Sequence, residues 1–204
     1  MICLEVMPTD YNIQKNPFSV ISFFAPLFGE NERADSVFLL SGSYWKYNFS
    51  HLYRYNAKAP SILWGLVMNR QNGRINGKGY IPLSQPMQGV GRIHVEEKDI
   101  TIDSLKIDYL HLFVNQCKQR GVQLVFVVSP KYTKITPSHY DVLEKFANSH
   151  GIPFLNYHTK ETYLDKPDYF RDFVHLWEEG AKCYSSMFAK DLKYLLGNNK
   201  NICI

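Results

Sequence analysis

The chain has 204 residues, 23 Lys and Arg against 19 Asp and Glu, a formal net charge of +4, 45% hydrophobic residues and 21% charged residues. That balance fits one globular domain able to bury its own core, and it excludes disorder, collagen and coiled coil. The small, scattered charge argues against a nucleic-acid protein, and the longest apolar runs, 20–25 and 122–128, fall far short of the roughly 20 residues of a membrane span.

The chain opens on an apolar run, Met1 to Met7, that reads as a buried strand ending at Pro8. It carries neither the basic segment nor the small-residue cleavage site of a signal peptide. A start on a core strand with no lead-in points to a fragment or a misplaced start. Residues 9–33 are broken by Pro17, Pro26 and Gly29, with a short helix around 17–25. Val37, Leu40, Tyr44, Tyr47, Leu52 and Tyr55 recur at roughly helical spacing, which predicts a helix or helix pair interrupted near Gly42. Pro60 permits a short helix to Met68, and the glycine turns of 69–91 mark a surface loop or hairpin.

From residue 100 the pattern sharpens. Asp103 caps a predicted helix to about Arg120, with Leu105, Tyr109, Leu112, Phe113 and Cys117 as its buried face and Gly121 as its stop. Val122 to Val128 is a continuous β-branched run, as expected of a parallel strand covered on both faces. Ser138 precedes a helix to about 149, ended by Gly151, and Ile152 to Leu155 is a short strand. Residues 178–196 form an amphipathic helix with Tyr184, Met187, Phe188, Leu192 and Leu195 inward. This order is α/β logic, with parallel strands, right-handed crossovers and functional groups beyond the carboxyl ends of the strands.

Cys117 and Cys183 lie in helical patterns and read as core residues, while Cys3 and Cys203 stand near the two ends, where a disulfide is open but not shown. His94, His111, His139, His150 and His158 form no ligand spacing and read as surface or packing residues.

One segment carries chemistry: Asp172-Phe173-Val174-His175, on a loop entering the last helix. An Asp three residues before a His can accept the Nδ1 hydrogen, fix the tautomer and leave Nε2 bare as a base. That nitrogen can take a proton from a hydroxyl nucleophile and return it to the leaving group. On spacing alone the pair is equally a surface ion pair at a helix start.

Asp172, His175, Leu176, Gly180, Ala181 and Ser185 together resemble the last sequence block of the SGNH, or GDSL-type, hydrolases, which reads Asp-x-x-His-Leu-Asn-x-x-Gly-Ala before an amphipathic helix. Val122–Pro130 resembles that family's penultimate core strand, Gly151–Asn156 its short last strand, and Gly79–Leu83 a loop of its divergent, envelope-associated members. The resemblance covers about 100–196 and, loosely, 1–10. It implies a flavodoxin-like three-layer sandwich with a parallel sheet and a serine esterase or O-acyltransferase acting on an ester or O-acylated saccharide. His175 would be its base and Asp172 its orienting group. No metal or organic cofactor is implied.

The departures are specific. No Gly-Asp-Ser or Gly-x-Ser block is present, Met7-Pro8-Thr9-Asp10 stands where a Gly-x-Asn-Asp block would follow the first strand, and Trp177 replaces the capping Asn. Glu178 and Glu179 offset that lost cap in part. Ser41 and Ser43 lie in the helix-rich insertion with no strand before them, and Ser129, at the carboxyl end of a core strand, has an ordinary turn role before Pro130. Arg171 either binds an anionic substrate or forms an exposed salt bridge, and Ser129 is carried as a second substrate-side candidate.

The expectation is therefore a single 1–204 α/β domain, N-terminally truncated, with insertion and loops over 9–99 and a core over 100–196. It keeps the Asp-x-x-His block without the nucleophile block, and so is inactive or part of an active parent from the cell envelope or periplasm. The alternative is a non-catalytic carbohydrate-binding or assembly module on the same fold. Either way, residues 1–7 become a hydrophobic edge that pairs in a homodimer or is covered by part of 9–69.

Overall fold

The computed structural model describes residues 1–13, 18, 21–49, 54, 59–69, 83, 85–87, 93–94, 101–134, 136–160, 162–163 and 166–198. They fall into two compact units, one of residues 1–13 and 82–204 and one of residues 14–81.

The first unit is built on a three-stranded parallel sheet of β1 (Ile2–Glu5), β3 (Leu124–Val128) and β5 (Phe154–Asn156), in the order β1-β3-β5. Cys3 stands beside Val125 and Glu5 beside Val127, while Val127 stands beside Leu155. A second, two-stranded pairing joins β2 (Ile93–His94) in parallel to β4 (Thr133–Lys134).

The alternation of side chains along β3 sorts the core into two layers. Leu124, Phe126 and Val128 pack with Val6, Leu110, Val114, Cys117, Leu143, Phe146 and Ala147. Those residues come from β1's exit, from α4 (Ser104–Gln119) and from α5 (Asp141–Ser149). Val125 and Val127 face the other way, onto Tyr157, Tyr163 and Phe170 and onto α6 (Glu178–Asn198), through Tyr184, Met187, Phe188, Leu192 and Leu195. Helices thus cover both faces, which explains why all five residues of β3 are buried and why its sequence is an unbroken apolar run. The mixed α/β class expected from the sequence is present.

Local chemistry sets the helix ends. The Asp103 carboxylate accepts the Leu105 N–H at 3.0 Å and caps α4. Gly121 and Gly151, at φ +64° and +66°, follow α4 and α5 in the left-handed region that stops a helix. The sequence places α4's apolar face one position away from where it lies. Leu105, Tyr109 and Leu112 are 60%, 64% and 56% exposed, Leu110 and Val114 are buried in their place, and Cys117 is buried as expected, with Phe113 half-buried beside them. Apolar residues run around more than one face of this helix, so periodicity alone did not choose between two stripes.

β1 also differs from its expected burial. Met1, Ile2, Cys3 and Glu5 are exposed, and burial begins at Val6 and Met7, just past the strand. The reason is topological: among the described residues β1 pairs with β3 alone, so its other edge is open. The exit of β1 is tied to the start of α4 by main-chain bonds from Asp103 N to Tyr11 O and from Ile13 N to Thr101 O. Lys106 Nζ adds bonds to the carbonyls of Asp10 and Asn12.

The second unit holds a 3-10 turn (Ile21–Leu27), α1 (Glu32–Leu40), α2 (Tyr44–Phe49) and α3 (Ala59–Asn69). The break between α1 and α2 falls at Gly42, with φ +69°, as its position in the periodic run suggested. Its core is Ala25, Phe28, Phe38 and Tyr47 with Ile21 and Tyr44, not Val37 and Leu40, which are exposed. The Arg54 guanidinium lies 4.6 Å from the Phe28 ring centre and donates to the Phe28 carbonyl at 3.0 Å. Leu52, Tyr55 and most of the 69–91 loop lie outside the described residues. Among the described residues no helix is long and apolar enough to cross a membrane.

Candidate active site

The segment 169–181 folds as a tight loop feeding α6. Phe170 and Leu176 form an antiparallel bridge, and the Arg171 N–H donates to the His175 carbonyl at 2.8 Å. Inside this loop Asp172 Oδ1 accepts the main-chain N–H groups of Val174 at 2.9 Å and His175 at 2.8 Å. That is the local capping habit of an Asp at the head of a turn, and it explains the three-residue spacing to His175 physically. The same carboxylate meets the ring: His175 Nδ1 lies 2.9 Å from Oδ2 and 3.0 Å from Oδ1.

A carboxylate bonded by two main-chain N–H groups keeps its charge. Partial burial works against this, but the bonds from Val174, from the His175 ring and from the His175 main chain outweigh it and hold Asp172 below its ordinary pKa. An ionised Asp172 can only accept, so Nδ1 carries the hydrogen and Nε2 presents a lone pair. Nε2 has no hydrogen-bond partner among the described residues, and the side chains of His175 and Asp172 are 62% and 49% exposed.

The loop is fixed to the carboxyl end of the sheet. Tyr132, four residues past β3, donates its N–H to the Phe173 carbonyl at 2.9 Å and packs on Phe170 and Phe173. The pair therefore stands on the side of the sheet where α/β proteins gather functional groups.

Ser129 also lies at this end, directly after β3, but its hydroxyl is 3.2 Å from the Tyr184 hydroxyl on α6. Burial raises the pKa of Tyr184, the bond from Ser129 opposes that, and Glu5 and Cys3 add to it. A phenol that keeps its proton cannot serve Ser129 as a base, and no bond joins Ser129 to His175 among the described residues. Arg171 is exposed and forms no salt bridge among them. Ser41 donates to the Phe38 carbonyl and accepts from Ser43 N, which is the work of a helix C-terminus.

The start of α6 shows what replaces the expected Asn cap. The Trp177 N–H bonds to the Tyr169 carbonyl at 3.2 Å and the Glu178 N–H to the Leu83 carbonyl at 3.1 Å, so main-chain acceptors satisfy the helix end. Glu178 and Glu179 both meet Lys182 at 3.0 Å. Gly180 is buried against the Tyr169 carbonyl, where a side chain would collide. The Gly at this place in the motif is thus a packing requirement of the loop that carries His175.

After β1, Asp10 Oδ2 accepts the Met7 N–H at 3.3 Å and Asn12 Oδ1 accepts the Thr101 N–H at 3.0 Å. Asp10 closes a local turn, Asn12 ties the segment after β1 to Thr101 just before α4, and neither side-chain bond reaches the Asp172–His175 loop. Sequence reasoning missed Tyr184 as the partner of Ser129. Its place on the inward face of α6 was the only available signal, and a packing role explains that face equally well.

His158 is buried beside the same strand ends. Its Nδ1 meets the Tyr140 hydroxyl at 2.6 Å and its Nε2 the Thr133 carbonyl at 2.8 Å, so both ring nitrogens are bonded, a packing histidine as the sequence suggested. Cys3, Cys117 and Cys183 are free thiols, and Cys203 lies outside the described residues. Comparison of the chain with family models, with curated proteins and with solved structures finds no match.

Proposed function

We propose that this chain is an SGNH-hydrolase-like, flavodoxin-type domain carrying the acid–base half of a serine ester-hydrolysis or acyl-transfer site. His175 is the base that deprotonates a hydroxyl and protonates the leaving group, and Asp172 orients it. The observation that carries this reading is the 2.9 Å contact of His175 Nδ1 with Asp172 Oδ2, with Nε2 left unpartnered among the described residues. The chemistry it serves is that of ester or O-acylated saccharide substrates. The resemblance implies no cofactor for it.

Among the described residues the hydroxyl nucleophile is the missing half. Ser129 is engaged by Tyr184, and no described serine meets His175. The 204-residue chain is therefore silent or very weak alone, since a base without its nucleophile leaves only a small residual rate. A fluorophosphonate probe tests this: the account expects no labelled serine, and stoichiometric labelling of any serine in this chain overturns it. In the resembled family further strands pair on the open side of β1, and we assign that edge to pairing with a second copy. Sedimentation that stays monomeric as concentration rises removes this assignment.

One observation favours a second reading, a non-catalytic carbohydrate-binding or assembly module on the same fold. In the unit of residues 14–81, Leu40, Trp45, Phe49, Trp64 and Leu66 are all exposed, and exposed Trp and Phe rings are the side chains that pack on sugar rings or on a partner's surface. Glycan-array binding that persists in His175→Ala, with no esterase activity in any longer form of the protein, would establish this reading over the first.

A further inference from the structure

A second pair of imidazoles lies outside this site, in the layer of α4 and α5. His111, on α4, and His150, which follows the last turn of α5, bring Nδ1 of the first within 3.1 Å of Nε2 of the second. Phe146 holds both rings in place, stacked on His150 at 4.4 Å and tilted against His111 at 4.5 Å. Both histidines are half-buried, so solvent reaches them.

We propose that His111 and His150 form a binding site for a late first-row divalent cation such as Zn2+, with water completing the coordination. Three observations support it. The first is spacing: two nitrogens on one tetrahedral zinc, each at about 2.0–2.1 Å, stand about 3.3 Å apart, close to the separation seen here. The second is the outer contact of His150. Its Nδ1 lies 2.9 Å from the Phe146 carbonyl, which can only accept, so Nδ1 holds the hydrogen and Nε2 turns its lone pair toward His111. A ring N–H held by a carbonyl while the other nitrogen stays bare is how metal-binding histidines are oriented. The third is rigidity: the stacked Phe146 fixes the rings before any ion arrives, which lowers the entropy lost on binding.

Among the described residues no third His, Cys, Asp or Glu joins the pair, so water fills the remaining positions and imidazole sets the preference for zinc, copper or nickel over magnesium and calcium. Without the ion, His111 Nδ1–H donates to His150 Nε2. On binding, both of those nitrogens face the metal, and His111 carries its hydrogen on Nε2 instead, exchanged through water. No net proton is released from neutral imidazoles.

The test is a thermal melt of the full chain with and without Zn2+, in a Cys3→Ser background that removes the thiol exposed among the described residues. At a hundredfold excess over the dissociation constant the midpoint is expected to rise by about 5 °C or more. His111→Gln and His150→Gln should each abolish that rise relative to their own metal-free melts, and if one variant fails to fold the other decides. Cu2+ should give one site per chain with electron-spin-resonance couplings to two imidazole nitrogens, reduced to one in either variant. No rise at millimolar Zn2+, or a rise unchanged in the variants, overturns the proposal.

Discussion

Gly180 lies so close to the main-chain carbonyl of Tyr169 that a methyl group at position 180 would overlap the carbonyl oxygen. The third residue of the last helix is therefore pressed against the loop that presents Asp172 and His175. Gly→Ala inside a helix ordinarily stabilises by about 0.5–1 kcal/mol, because Gly has more backbone freedom to lose. Here the sign should reverse. Gly180→Ala is expected to destabilise by about 1–3 kcal/mol through overpacking against rigid backbone. Urea unfolding should show a lower midpoint with an unchanged slope, and a midpoint at or above that of the parent would show that the contact yields.

The Asp172 turn has a defined pH dependence. Its folded-state pKa lies below the ordinary value of 3.8, so the bonds it accepts contribute stability above that value and are lost as pH falls through the folded-state pKa. The carboxyl carbon resonance of Asp172 should therefore show its carboxylate titration with a midpoint below 3.8. Asp172→Asn should abolish that transition. A carboxyl titration centred above 3.8 would contradict the bonding described.

The corrected face of α4 is separable by two substitutions of the same type. Leu110 is 5% exposed and Leu112 is 56% exposed. Leu110→Ala should cost about 2–5 kcal/mol, as cavity-forming changes in a core do. Leu112→Ala should stay within about 0.5 kcal/mol. Chemical denaturation of the two variants checks this, and equal losses would restore the face that periodicity suggested.

What could be read from the sequence follows the strength of local signals. The β3 run, the Asp103 cap and the stops at Gly121 and Gly151 are each set within a few residues, and all are present, with β3 starting at Leu124, two residues later than its apolar run. The inward face of α6 was legible because Tyr184, Met187, Phe188, Leu192 and Leu195 recur at three- and four-residue spacing. The face of α4 was not, because Leu105, Tyr109 and Leu112 form an apolar stripe as regular as the buried one. The exposure of β1 depends on which strands flank it, and a single strand's composition cannot state that.

The same division runs through the candidate site. Asp172 and His175 meet because a turn three residues long brings them together, and spacing alone suggests as much. Ser129 with Tyr184, and His111 with His150, meet across 55 and 39 residues of chain. Only the packing of helices on the sheet decides those encounters.

The central claim is that Asp172 fixes the His175 ring with its hydrogen on Nδ1 and a bare Nε2. Nitrogen-15 correlation of the imidazole at a pH where it is neutral reads this directly. The account predicts the Nδ1–H tautomer in the parent chain, and a shift toward Nε2–H, the form favoured by an unpaired imidazole, in Asp172→Ala. A parent His175 that already holds its hydrogen on Nε2 would contradict it.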